Sequence, residues 1–501
     1  MNHRWIPVAA LAAAWALSLT LGCGNMLGNN KARDAKTAVP ESFGAVVGEA
    51  GPSIAAQQQW DMFFADADLR ELIEQALDNN QELNIRLQEI IINQNNIAAI
   101  RGEYMPRLGA GVGAGIEKVG DETPAGVSHA AHGLSEPLPD FRFGFVASWE
   151  TDIWSRLRNA RKSANLMYEA TIQARHFLVT EIVAEIANSY YDLVALDLQI
   201  EILDRNIELQ KNALEVVKAK KIAARATELG VQRFQAEVLK NQGRRFALEQ
   251  QRIIVESRIN FLVGRFPQPV VRNSASFNAA KPDVVATGLP SDLLENRPDV
   301  KAAELRLAAS KLDTRSAKAR FYPSLRLDAD IGFESFNVAH LIRTPQSLAF
   351  SAAGSLIAPL LNRAAIKADY RSANARQIQA VFEYERSILQ AFTDVYNQMT
   401  AISNLKQRYE RLSQQVATLN AAVEVSKVLY QSAHIDYYEV LMVVRDSLEA
   451  EIELVEAKKD QMQAVVSVYQ ALGGGWRLGS VRMAGGAAVS SSARQARSAT
   501  P

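Results

Sequence analysis

Between Pro359 and Gly473 the chain contains neither glycine nor proline, and this stretch limits the possible folds more than any other feature. No residue within it forces the backbone out of a helix or removes a backbone N–H donor. Apolar side chains recur at every seventh position: Val381, Ile388, Val395, Ile402, Tyr409, Val416, Val423 and Tyr430. Such a repeat is typical of a coiled coil. We therefore predict a helix over about residues 362–430, on the order of 100 Å long, and a return helix over about 437–472.

The same order of elements occurs twice along the chain. Residues 146–229 also lack glycine and proline and carry their own seven-residue repeat, which predicts a long helix over about 155–221 and a return helix over about 228–263. Gly115 and Gly332 lie 217 positions apart, each within a predicted strand. We expect two tandem repeats, residues 61–264 and 290–476, joined by a linker over 265–289.

Each repeat is expected to place two strands between a short helix and a long one. The predicted strands cover about residues 107–117, 141–150, 324–335 and 348–357, and a polar loop is expected over 118–140. The third strand alternates most clearly, since Leu325 and Leu327 face one way. Its opposite face carries Arg326, Asp328 and Asp330.

Four strands per chain are too few to enclose a lumen, and an isolated hairpin is only marginally stable. If several chains each contribute four strands, a barrel closes with its apolar residues facing lipid. Arg326, Asp328 and Asp330 would then face the aqueous interior. The alternation by itself also fits a soluble α+β module with a half-exposed sheet, so both alternatives remain open on the pattern alone.

Charge and composition exclude several classes of function. The formal net charge is +0 and the pI about 7.1, so the basic surplus of a nucleic-acid-binding protein is missing. No internal run reaches the ~18 apolar residues of a membrane-spanning helix, which argues against a helical inner-membrane protein. His129 and His132 lie in the predicted loop without a second group of ligands, and no glycine-rich loop opens a helix to bind phosphate. We therefore do not expect an enzyme, a metal site or a soluble cofactor.

The N-terminus carries the pattern of an export signal. His3 and Arg4 precede an apolar run that ends at Leu21, and Cys23 follows as the single cysteine of the chain. This arrangement resembles a bacterial lipoprotein signal, in which the cysteine receives a covalent lipid and becomes the mature N-terminus. We expect residues 1–22 to be the signal peptide and residues 23–60 a lipidated extended segment. Residues 477–501, rich in Ala, Ser and Gly, are expected to form a disordered tail.

Five short motifs keep the order and spacing of one known family. They are Ala76-Leu77 with Asn79-Asn80, Trp149 to Trp154, Leu289 to Glu304, Phe321 to Leu325, and Ala471 to Trp476. Over about residues 60–476 the chain resembles the outer-membrane efflux channels of the TolC and OprM type, in particular the lipoproteins that serve resistance-nodulation-division pumps. The resemblance implies an α+β membrane protein: a trimeric 12-stranded outer-membrane β-barrel continuous with a long periplasmic α-helical barrel.

The resemblance also implies a function and partners. A homotrimer anchored in outer-membrane lipid and extending into the periplasm would give passive exit to small molecules such as drugs. An inner-membrane resistance-nodulation-division pump and a periplasmic adaptor protein would deliver them. A type I secretion exit duct remains an alternative, as does a lipid-anchored periplasmic coiled-coil scaffold or adaptor without a pore.

The family's functional positions fall at the two breaks between paired long helices. The resemblance implies that these tips meet the adaptor, and the matching residues are Arg225, Thr227, Glu228, His434 and Tyr437. It places Glu439 and the nearby Asp436 at the periplasmic aperture, where three copies of a carboxylate would repel one another and attract cations. Ile435 and Met442 depart from a basic and an acidic residue of the best-known relative, so the charge network of this gate is left open.

Overall fold

The computed structural model describes residues 32–43, 57–133, 137–274, 277, 290–359, 363–432 and 434–477. Cys23, the expected signal peptide, most of the segment before residue 57 and the tail beyond residue 477 lie outside the described residues. In chain order the helices are α1 (Trp60–Phe63), α2 (Ala67–Asn79), α3 (Gln81–Tyr104), α4 (Pro124–Ala131), α5 (Arg156–Ile222), α6 (Glu228–Val263), α7 (Leu293–Asn296), α8 (Pro298–Ala319), α9 (Ala364–Gln431) and α10 (Tyr437–Ala471). The strands are β1 (Arg107–Glu117), β2 (Leu138–Thr151), β3 (Ser324–Ser335) and β4 (Leu348–Ile357).

Two helices are unusually long because nothing in their sequences interrupts them. Helix α5 has 67 residues and α9 has 68. At about 1.5 Å per residue, each extends roughly 100 Å. Each is followed, after a short turn, by a return helix of about half its length, α6 or α10.

The prediction of a polar loop over residues 118–140 was wrong for the middle of this segment. Helix α4 forms there, with Pro124 in its first turn and the Thr123 side chain accepting a hydrogen bond from the Gly126 backbone N–H at 3.1 Å. A capping threonine followed by proline is a helix start signal. The surrounding glycine and histidine residues hid it in the sequence.

The four strands form one antiparallel sheet in the order β1-β2-β3-β4. Arg107 pairs with Ser148, Phe145 with Ile331, and Ser324 with Ile357. Because side chains alternate along a strand, this register brings the apolar side chains of all four strands to one face. They include Leu108, Val112 and Ile116 of β1, Phe143 and Phe145 of β2, Leu327 and Ile331 of β3, and Phe350 and Leu356 of β4.

The chain divides into two compact units. We call the first the sheet unit; it comprises the described residues of 1–35, 89–171 and 303–384, and so contains the sheet, most of α3 and α8, and the first turns of α5 and α9. Within it, α8 contacts both long helices. Ser163 of α5 donates a hydrogen bond to the Ala309 carbonyl at 3.1 Å, and Thr314 donates one to the Ala373 carbonyl of α9 at 3.2 Å.

The second, the helical unit, comprises the described residues of 36–88, 172–302 and 385–501. Its main core consists of apolar side chains of α2, α5, α6 and α10, with Leu69, Ile73, Ile186, Leu193, Ile259 and Tyr469 almost fully buried. Part of the expected linker packs here as well. Val270 is buried in the core, and Arg272 binds Asp197 of α5 and Glu256 of α6.

Candidate functional site

The polar face of the sheet carries the three residues that the sequence assigns to a lumen. Arg326, Asp328 and Asp330 lie on one side of β3, and Arg326 Nε is 2.9 Å from the Asp328 carboxylate. Ser351 of β4 donates a hydrogen bond to Asp330. The same face carries Arg142 opposite Glu334 and Glu150 opposite Arg326. This surface is charged across neighbouring strands, as expected of a surface in contact with water.

The opposite face of the sheet is apolar, and many of its described side chains are exposed. Val112 is 90% exposed, Phe350 78% and Leu108 74%. A soluble monomer rarely exposes a continuous apolar patch of this kind. This sheet therefore presents one face suited to water and one suited to an apolar environment.

The turn between α5 and α6, which we call turn 1, is closed by local hydrogen bonds. The Arg225 N–H donates to the Lys220 carbonyl at 2.8 Å and the Ala224 N–H to the Lys221 carbonyl at 2.9 Å, which is the Schellman pattern of a helix C-terminus. Ala224 adopts the left-handed conformation that this pattern requires, with φ of 58°. Thr227 then caps α6 by accepting from the Gly230 N–H at 3.2 Å.

An ion pair adds to turn 1. Lys221 at the end of α5 binds the Glu228 carboxylate at the start of α6. The hydrogen bond and charge of Lys221 lower the pKa of Glu228. Arg225, Thr227 and Glu228 all remain exposed, so these residues are accessible to a partner.

The turn between α9 and α10, which we call turn 2, is built differently. The His434 N–H donates to the Leu429 carbonyl at 2.9 Å at the end of α9. Asp436 occupies the N-cap position of α10, yet its side chain makes no capping hydrogen bond. Glu439 lies in the first turn of α10, and His434, Asp436 and Glu439 are all exposed.

An aromatic cluster connects the two turns within the helical unit. The Tyr437 ring lies 4.7 Å from the Phe234 ring of α6 and 4.5 Å from the Tyr430 ring of α9. Lys220 of α5 places its ammonium 3.8 Å from the centre of the Tyr430 ring and donates a hydrogen bond to its hydroxyl. Burial, with a smaller contribution from Tyr430, raises the pKa of Tyr437 to about 12. All four helices thus meet at this cluster.

A groove of about 630 Å³ extends from the cluster along the helices. Asn206 and Gln210 of α5 line it together with Asn420 of α9 and Ser447 of α10. Gln210 accepts a hydrogen bond from Asn241 of α6 at 2.9 Å, and Ser447 donates one to Asn420 at 2.7 Å. Polar side chains that line this groove therefore join α5 to α6 and α9 to α10.

Comparison with known proteins identifies the family. A family model described as outer membrane efflux protein matches residues 72–265 and residues 289–474, which together are more than half of the chain. The chain belongs to the outer membrane efflux protein family.

Curated relatives are similar in sequence to this efflux protein over most of its length. The chain is 28% identical over 429 residues to the pyoverdine export outer membrane protein OpmQ of Pseudomonas aeruginosa, covering 85% of this chain and 90% of the relative. It is 27% identical over 472 residues to the outer membrane protein OprJ of the same species, covering 93% and 95%.

Solved structures share the fold. A membrane protein from Pseudomonas aeruginosa superposes with a TM-score of 0.80 at 24% identity, covering 89% of this chain and 100% of the other. The open state of the MtrE outer membrane channel of Neisseria gonorrhoeae gives a TM-score of 0.77 at 23% identity, covering 90% and 98%. The helical architecture and the internal repeat of this efflux protein are therefore those of the family's channels.

Two features of the efflux protein were not found by reading its sequence. The contact of Lys220 with Tyr430 joins residues 210 positions apart, and no local pattern marks it. Arg297, 4% exposed, binds Asp299, Asp394 of α9 and the Ala471 carbonyl at the end of α10. The motif containing Arg297 was recognised, but its partners lie too far along the chain to be inferred from spacing.

Within the described part of the efflux protein, no group of three or more His, Cys, Asp or Glu side chains is arranged to hold a metal ion. None of its helices combines the length and hydropathy that a bilayer-spanning helix requires.

Proposed function

We propose that this efflux protein is the outer-membrane channel of a tripartite efflux system, in which three copies form a 12-stranded barrel. The sheet carries this proposal, because it has one exposed apolar face and one charged face. Closing three such sheets into a barrel places the apolar face against lipid and satisfies every backbone group. Arg326, Asp328 and Asp330 then line a water-filled lumen.

The cargo is proposed to be small molecules handed over by an inner-membrane pump and a periplasmic adaptor. Relatives carry names that refer to export of pyoverdine, toluene and cations. Because these cargoes differ so widely in chemistry, we infer that the pump selects the cargo and the channel provides the exit.

Conductance tests the channel directly. We expect the purified full chain to run as a trimer in detergent and to form discrete ion-conducting pores in planar bilayers. A trimer that never conducts would instead favour the non-pore scaffold. Rescue of drug efflux in cells lacking their own outer-membrane channel separates a multidrug channel from a type I secretion duct, since a duct would restore protein secretion only.

Asp436 and Glu439 are proposed to form the periplasmic gate. Both carboxylates are exposed at turn 2, and three copies around one axis would concentrate negative charge there. Replacing either by Ala is expected to change the conductance of the closed state and its dependence on salt. Glu228→Ala at turn 1 is the matched control, because that carboxylate is paired with Lys221; equal effects of all three variants would count against the gate.

The adaptor is proposed to bind at the tips through Arg225, Thr227, Glu228 and His434, which are exposed. Tyr437 is half-buried in the aromatic cluster, so we propose that it both supports this surface and contacts the adaptor.

We propose that Cys23 carries the covalent lipid. Mass spectrometry of the mature protein should show the added acyl mass, and Cys23→Ser should lack it.

A further inference from the structure

We infer that the segment following α10 closes onto α5 as an acid-sensitive clasp, from which protonation of His176 releases Trp476. The clasp consists of His176 of α5 and residues 473–476. It joins α10 of the second repeat to α5 of the first repeat within the helical unit. Neither the channel nor the gate proposed above depends on it.

Three glycines allow the chain to turn back at the end of α10. Gly473 and Gly475 have φ of 84° and 95°, a conformation that residues with a side chain rarely adopt. Gly474 has no room for a side chain, because an added Cβ would collide with the Tyr469 ring. The chain therefore passes closely over Tyr469, and Trp476 packs against the main core of the helical unit.

Trp476 stacks on the ring of His176. The two ring centres are 4.6 Å apart and the ring planes are inclined by 17°. The Nδ1 atom of His176 is buried and has no hydrogen-bond partner among the described residues. Protonation would require an N–H donor at this nitrogen, and a buried donor without an acceptor is unfavourable. The clasp is therefore suited to the neutral ring.

The surroundings of His176 oppose a positive charge. Burial, with a smaller contribution from the adjacent Arg175, lowers the pKa of His176 to about 4. The described charged and titratable groups around the stack include Arg175 of α5, Arg477 and Tyr469 near Trp476, and Asp61 of α1, which acts on Tyr469. Of these groups, Arg175 changes the pKa of His176, and its positive charge favours the neutral ring.

Linkage gives the pH range in which the clasp opens. A released His176 has about the ordinary pKa of 6.5, so the open state takes up a proton as the pH falls through that value. The closed clasp takes up the proton only near its lowered pKa. The clasp therefore keeps its full stability above the ordinary pKa and loses it progressively in acid. Between about pH 7.5 and about pH 5.5, the equilibrium shifts about tenfold towards the open state.

The end of α6 is a natural control within the same molecule. Both helices end at a glycine with positive φ, Gly264 at 77° and Gly473 at 84°. In each, the glycine N–H donates to the carbonyl three residues earlier, at 3.0 and 2.9 Å. Gly473 lies 209 positions after Gly264, and by this offset Pro267 stands where the second repeat has Trp476. The end of α6 therefore has the same helix closure without the tryptophan of the clasp.

Hydrogen exchange of the full-length protein, normalised to the intrinsic rate at each pH, tests the clasp. From about pH 7.5 to about pH 5.5, we expect the amides of residues 473–475 to exchange about tenfold faster relative to those at the end of α6. His176→Phe keeps a ring that stacks but cannot be protonated, so this variant is expected to lose the acid response. His132→Phe replaces an exposed histidine and is expected to retain it.

Trp476→Leu removes the stack itself and provides a second test. This variant is expected to exchange several-fold faster at residues 473–475 near neutral pH, with little further acceleration in acid. Unchanged exchange at the end of α6 would show that the helical unit is still folded in each variant. A full acid response in His176→Phe or in Trp476→Leu would overturn the clasp. Equal acid responses at the ends of α6 and α10 in the wild-type protein would overturn it as well.

Discussion

Turn 1 and turn 2 occupy equivalent places in the two repeats, and they differ in what their polar groups do. In turn 1, Thr227 caps α6 and Lys221 binds Glu228, so the polar side chains stabilise the turn. In turn 2, Asp436 has the capping position without making the capping hydrogen bond, and Glu439 is exposed. The polar side chains of turn 1 thus stabilise the connection between its two helices. In turn 2, the carboxylates of Asp436 and Glu439 are exposed to solvent instead.

The substitution with the largest expected effect removes the aromatic contact that the two turns share. Tyr437→Ala deletes the ring that packs on both Phe234 and Tyr430. Because the ring is only partly buried, we expect a loss of about 2 kcal/mol in local stability, at the low end for removing a large buried side chain. Hydrogen exchange of the peptides that span both turns should accelerate. Tyr438→Ala, at a residue 50% exposed, is the control, and similar exchange in the two variants would contradict the role of the cluster.

The next prediction separates the turns. Thr227→Ala removes a capping hydrogen bond and is expected to destabilise the start of α6 by about 1 kcal/mol. Asp436→Ala is expected to cost clearly less at the start of α10, because no such bond is lost. Hydrogen exchange of the first turns of α6 and α10 provides the measurement. Equal losses of stability at the starts of α6 and α10 would contradict the difference in capping between the two turns.

A stabilising change should act on turn 1 alone. Ala224 has φ of 58°, a conformation that costs a residue with a side chain roughly 1 kcal/mol and costs glycine little. Ala224→Gly is expected to recover part of this cost, up to about 1 kcal/mol, and to slow exchange in turn 1. Ala223→Gly is the control, since Ala223 does not have a positive φ; stabilisation there as well would rule out the conformational explanation.

The smallest expected effect is a pH dependence of turn 1. Lys221 lowers the pKa of Glu228 in the folded turn. The pair therefore contributes its stability above the ordinary pKa of glutamate and loses it as the pH falls through the lowered value. Hydrogen exchange in turn 1, corrected for its intrinsic pH dependence, should accelerate in acid, and Glu228→Gln should lose this response. An unchanged response in that variant would assign the pH dependence to another group.

The turns also show how far a sequence can predict a site. The breaks after Ile222 and Gln431 follow from the ends of the seven-residue repeats, and the structure places the turns there. The capping by Thr227 is a local signal as well. That Asp436 does not cap, and that Lys220 contacts Tyr430 of another helix, depends on side-chain packing that no local pattern records.

What the sequence determined by itself is local and periodic. The absence of glycine and proline and the seven-residue repeats specify the long helices, and the alternation around Arg326, Asp328 and Asp330 specifies a two-faced strand.

The tertiary structure decided which residues that are distant in the sequence come into contact. Strand β1 alternates only weakly, and its pairing with β2 assigns Leu108, Val112 and Ile116 to the apolar face. Arg297 likewise reaches Asp394 and Ala471 only after the chain has packed. Periodicity follows from backbone geometry within a few residues, whereas register and long-range contacts depend on how distant segments fit together.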